Sequence, residues 1–73
     1  MYYLKDDIEI DFGIVKNYEI AKRIEITQQT LSKILNRKMG CSKVIANYIS
    51  MLNYKGTRYS DRHINDYFYK KEN

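Results

Sequence analysis

The stretch from Ile20 to Arg37 constrains this chain more than any other, because it reads as a helix, a tight turn and a second helix with two unlike sides. At about 100° per residue, Leu31, Ile34 and Leu35 fall on one side of the second helix. Gln28, Gln29, Ser32, Lys33 and Asn36 fall within an arc of roughly 140° on the other. That outer arc carries amides, a hydroxyl and an amine, with no carboxylate. A merely solvated face usually mixes both signs of charge. Neutral donor–acceptor groups backed by cations suit the floor of a DNA groove, where amides read base edges and cations meet phosphates.

The placement of charge agrees. Residues 1–13 set one lysine, Lys5, against four carboxylates, Asp6, Asp7, Glu9 and Asp11. Residues 14–58 set nine cations (Lys16, Lys22, Arg23, Lys33, Arg37, Lys38, Lys43, Lys55 and Arg58) against only Glu19 and Glu25. Residues 59–73 balance, three cations against three carboxylates. A chain basic only for solubility would not gather its excess on the two-helix segment, whereas a nucleic-acid binder would.

Size and composition narrow the classes. Seventy-three residues allow one domain with a marginal core. Cys41 is the only cysteine, so no intrachain disulfide reinforces that core, and a lone thiol fits a reducing cytoplasm. No apolar run approaches the ~18–20 residues that span a bilayer, and no signal-peptide pattern opens the chain. The expectation is a cytoplasmic protein without membrane contact. Proline is absent and Ile, Lys, Asn and Tyr are abundant, as an AT-rich bacterial or mobile-element genome would encode.

Periodicity predicts an all-α domain of four to five helices. Leu4, Ile8 and Phe12 recur every four residues and predict a first helix over 2–12, although Ile8 to Phe12 also alternate as a strand would. Gly13 ends that segment. Asn17 is a candidate N-cap for a helix over 18–24 with Ile20, Ala21 and Ile24 inward. Thr27 can cap the next helix and Ser42 a further one, in which Ile45, Tyr48, Ile49 and Leu52 repeat at helical spacing. A connection containing Gly56 follows. Ser60 can cap a short aromatic helix carrying Ile64, Tyr67 and Phe68.

The central segment, about residues 17–37, resembles the helix-turn-helix of the phage repressor, Cro-like or XRE-type family. Ala21 stands at the small-residue position of the first helix, and Ile20, Ile24, Ile26, Leu31 and Ile34 match the apolar positions. The run from Thr27 to Ile34 is similar to the family's recognition helix. Asn36-Arg37-Lys38 followed by Ser42 is similar to its basic loop and capped next helix. One departure is Glu25, at a turn position where the family usually has glycine because φ is commonly positive there. The resemblance covers roughly residues 14–53.

That resemblance implies a lambda-repressor-like domain and a sequence-specific transcriptional regulator of double-stranded DNA. It points to a repressor from a phage, plasmid or other mobile element. With the recognition helix in the major groove, Gln28, Gln29, Ser32 and Lys33 are the candidate base contacts, since a Gln amide pairs bidentately with adenine N6/N7. Tyr18, Thr27, Asn36, Arg37, Lys38, Ser42 and Lys43 are the candidate phosphate contacts. One helix reads few base pairs, so family members usually bind inverted half-sites as homodimers. The aromatic segment 54–73, with Tyr54, Tyr59, Ile64, Tyr67, Phe68 and Tyr69, is a candidate dimer surface or simply the back of a small core.

Other chemistry is poorly supported. His63 has no cysteine or second histidine to share a metal. Cys41 beside a basic loop raises redox sensing, but a small packing residue is the plainer reading. The N-terminal carboxylates read as a solvated face. No phosphate-cradling loop or nucleophile–base set occurs, so neither an enzyme nor a cofactor is expected. Two alternatives are a helix-turn-helix-fold inhibitor of another protein, of anti-CRISPR or anti-repressor type, and a sequence-neutral nucleic-acid binder. Mimics that block DNA-binding machinery tend to be acidic, which this motif is not. Nor does the motif carry the aromatic platform of an RNA binder.

Overall fold

The two ends of the chain pair with each other. In the computed structural model, which describes residues 1–54 and 64–72, strand β1 (Tyr2–Leu4) runs antiparallel to strand β2 (Phe68–Lys70), with Tyr2 opposite Lys70, Tyr3 opposite Tyr69 and Leu4 opposite Phe68. Between them come helices α1 (Asn17–Arg23), α2 (Gln28–Leu35), α3 (Lys43–Leu52) and the single turn α4 (Ile64–Tyr67). The other edge of β1 meets Cys41. Tyr2 N–H donates to Cys41 O and Cys41 N–H to Tyr2 O, each at 2.8 Å.

This corrects the all-α expectation: four helices and a two-stranded sheet form the described residues. The helix expected over 2–12 does not form. Tyr2 and Tyr3 favour a pleated surface, and their strand partner lies at the far end of the sequence, where local periodicity has no view of it. Asp6 and Asp7 then turn the chain, with Ile8 N–H donating to Lys5 O. Leu4 and Phe12 are nonetheless buried and Ile8 packs beside them, so the apolar triad reaches the core without a helix. At the other end Phe68 belongs to β2, and α4 stops at Tyr67. The Ser60 cap and the connection containing Gly56 lie outside the described residues.

Leu4, Ile20, Leu31, Ile34, Ile49 and Phe68 make the centre of the core. On α3, Ile45, Ile49 and Leu52 of the expected repeat pack on the core, Ala46 and Ser50 are buried beside them with the C-cap Asn53, and Tyr48 departs, standing half-exposed. Both buried polar side chains are satisfied. Ser50 Oγ donates to Ala46 O at 2.8 Å, and Asn53 Oδ1 accepts from Asp11 N–H at 3.1 Å. Among the described residues no helix is long and apolar enough to cross a membrane.

Gly40 lies under the sheet. A Cβ there would sit 2.8 Å from Tyr3 Cε1 and 3.0 Å from Met1 Cβ, while Tyr3 is stacked on Tyr69 with ring centroids 6.0 Å apart. The ring therefore has little freedom to retreat. Gly40→Ala is expected to destabilise the fold by about 1–3 kcal/mol, read as a lower urea midpoint with an unchanged slope. An unshifted midpoint would show that Tyr3 moves aside freely.

Candidate nucleic-acid interface

Helix α2 is fixed at both ends by local hydrogen bonds. Thr27 takes an extended conformation and its hydroxyl accepts from Thr30 N–H at 3.1 Å, capping the start as expected. Thr30 also pairs with Thr27 through their hydroxyls at 2.9 Å. Ser42 caps α3 in the same way, accepting from Ile45 N–H at 3.3 Å. Helix α1 differs: Lys16 is its N-cap, without a side-chain bond, and Asn17 is its first residue.

The ends of α1 and α2 share one geometry. Glu25 N–H donates to Lys22 O and Ile26 N–H to Ala21 O. One helix later, Arg37 N–H donates to Ile34 O and Lys38 N–H to Lys33 O. Each pair is the double bond of a Schellman stop, which needs a left-handed residue just after the cap. Glu25 at φ 60° and Arg37 at φ 64° supply it. The positive φ expected at the family's glycine position is therefore present at Glu25, at a cost of roughly 1 kcal/mol for a side chain there.

Leu31 and Ile34 are buried beneath α2, and Gln28, Gln29, Ser32 and Lys33 are exposed above it. Among these, Ser32 Oγ accepts from Asn36 Nδ2 at 3.3 Å, which leaves its own proton free to donate outward. Tyr18, Thr27, Lys38, Ser42 and Lys43 are exposed as well, Tyr18 in the first turn of α1 and Lys43 in the first turn of α3.

Arg37 departs from its expected role as a phosphate contact. Its guanidinium donates to Lys5 O (Nε 3.1 Å, Nη2 2.9 Å), to Ile8 O and, at 3.4 Å, to Leu35 O. Lys5 O also accepts from Ile8 N–H, and a five-donor fork is suited to gather such carbonyls. Arg37 thus ties the acidic N-terminal segment to the C-terminal end of α2. Asp6 lies 3.9 Å from Nε. The helix dipole makes the N-terminal end of α2, where Gln28 and Gln29 stand, its positive end. Its position after Lys33-Ile34-Leu35-Asn36 marks Arg37 as a helix stop, but nothing local reveals which carbonyls it would reach.

No known protein family, characterised protein or solved structure matches this chain. The interface therefore rests on its own geometry.

The expected aromatic dimer surface is dismantled in part. Tyr67 and Phe68 are buried and Ile64 packs against the core, so these three serve packing. Tyr54 and Tyr69 are exposed. Tyr59 and His63 lie outside the described residues.

Cys41 is buried, and burial pushes its thiol up from 9.0 to about 11, against a smaller pull downward from the Met1 amino group. A thiol kept neutral is not the exposed thiolate that redox sensing needs. Its raised value has a thermodynamic sign. The contribution is fully present below pH 9 and is lost toward pH 11, where the unfolded chain has released a proton that the folded chain keeps. Stability is expected to fall with rising pH across that window by about 1.4 kcal/mol per unit more than in Cys41→Ala. Equal slopes in urea unfolding would mean that the thiol is hydrated in the fold.

Proposed function

We propose that this chain is a sequence-specific binder of double-stranded DNA, acting as a transcriptional repressor and as a homodimer on an inverted-repeat operator. The observation that carries the reading is the exposed side of α2. Gln28, Gln29, Ser32 and Lys33 stand together on a helix capped by Thr27 and stopped at Arg37, with Leu31 and Ile34 anchoring its back. Rigid presentation matters, because bidentate pairing of an amide with a base edge tolerates little angular error.

In this reading α2 enters the major groove by its N-terminal end, and Gln28 and Gln29 meet bases. Ser32 and Lys33 lie one turn further along. Lys38, Lys43, Tyr18 and the exposed amide groups of the helix starts hold phosphates. Those phosphate contacts position the protein and make affinity fall with salt, without choosing a sequence. Repression follows from occupying a promoter and excluding polymerase.

Selection from randomised duplex DNA at two salt concentrations tests the reading. An inverted repeat with half-sites about one helical turn apart is expected. Binding without a motif would overturn sequence-specific regulation. At the selected site Gln28→Ala is expected to cost about 1–3 kcal/mol and little on random DNA. Lys38→Ala should weaken both alike and reduce the salt slope by about one. Equal losses on the two DNAs would remove Gln28 from base readout.

A further inference from the structure

Helix α3 is apolar on two opposite sides. Its inner stripe of Ala46, Ile49, Ser50 and Asn53 is buried. About 180° away, Val44 and Tyr48 stand 64% and 50% exposed. No charged residue occurs between Val44 and Leu52. A helix that only faced water would carry charge on its outer side.

We propose that this outer face, with Arg23 and Glu25 beside it, is where a second copy of the chain docks. The proposal deepens the DNA-binding reading by giving the dimer a contact surface, and it is tested without DNA.

Shape favours a second copy. Val44 and Tyr48 line two adjoining grooves, one with Asn47 and Met51, the other with Arg23, Ile24, Glu25 and Ile45. A ridge with a groove on each side fits its own image across a two-fold axis, as helix ridges seat in grooves. Tyrosine is among the residue types, with tryptophan and arginine, that are enriched where such contacts carry most energy.

Charge selects the occupant more sharply. The ionisable groups lining the two grooves are Arg23, Glu25 and Tyr48. At neutral pH the first two cancel, inside a stretch that elsewhere carries a large cationic excess. Neither forms an ion pair among the described residues. An acidic partner or a nucleic acid would call for net positive charge here, and a basic partner for net negative charge. A self-complementary pair suits an isologous interface, where Arg23 of each copy meets Glu25 of the other. Glu25 also keeps its carboxylate at φ 60°, where glycine would sit without strain.

The test is sedimentation equilibrium of the full chain without DNA, from about 1 to about 500 μM, a range bracketing the micromolar end of protein association. A reversible monomer–dimer equilibrium is expected. Tyr48→Lys should raise its dissociation constant at least about tenfold, with far-UV circular dichroism unchanged and with the same melting temperature at a concentration where both proteins are monomeric. Arg23→Glu alone should weaken the dimer, and Arg23→Glu combined with Glu25→Arg should restore it, which loss of folding cannot mimic. Tyr54→Lys, on an exposed residue outside both grooves, should leave it unchanged. A monomer at every concentration overturns the proposal, as does a dimer insensitive to both Tyr48→Lys and Arg23→Glu. A dimer formed through α3 that selects no DNA sequence would keep this proposal and remove the DNA-binding one. Sequence-selective binding by a monomer would do the reverse.

Discussion

Backbone pairing on both edges of β1 holds the ends of this small fold to its middle. Tyr2 to Leu4 bond to β2 on one side, and Tyr2 bonds to Cys41, ahead of α3, on the other. That arrangement closes a loop of nearly the whole chain, at an entropic cost that grows only slowly with length. In return it buries Leu4 and Phe68 against Ile20, Leu31, Ile34 and Ile49. A helical N-terminal segment would have offered local hydrogen bonds at a lower closure cost. Without a disulfide, such a small chain depends on apolar contacts between its two ends.

The same attachment controls how α2 is presented. Once β1 is seated, Lys5 and Ile8 turn their carbonyls toward Arg37, and the guanidinium fastens them to the stop of α2. Arg37 therefore holds a left-handed backbone conformation that several hydrogen bonds offset. Glu25 holds the equivalent position after α1 with an exposed side chain. One strained residue is explained by contacts inside the fold, and the other by a contact proposed outside it.

What the sequence made legible was local. Thr27 and Ser42 announce helix starts because a short hydroxyl side chain has one strong use there, and both cap as expected. The turn at Glu25 could be placed because its apolar neighbours fix the register, whatever residue occupies it. The strands could not be placed, since Tyr2–Leu4 and Phe68–Lys70 are intelligible only as a pair. On α3 Ile45, Ile49 and Leu52 face the core as their spacing predicts, and Tyr48 departs for another reason. Hydropathy assigns Tyr48 to the core and Ser50 and Asn53 to water, yet each polar group finds a bond inside. Of the expected site, the α2 face and the lysines stand exposed, while Arg37, Tyr67 and Phe68 turned inward because each satisfies more of its chemistry there.

The outward turn of Tyr48 bears on function. Ser50 and Asn53 serve the core while Val44 and Tyr48 face outward, so α3 carries a second apolar side at some cost in solubility. In a lone monomer a lysine at position 48 would be the simpler choice. The cost is understandable if two copies meet there. The charges support the division: the basic excess of residues 14–58 includes Lys33, Lys38 and Lys43, while the α3 grooves carry a balanced Arg23–Glu25 pair. In the proposed DNA-binding dimer, two copies of like charge repel each other. An interface of zero net charge is the place where that repulsion is least.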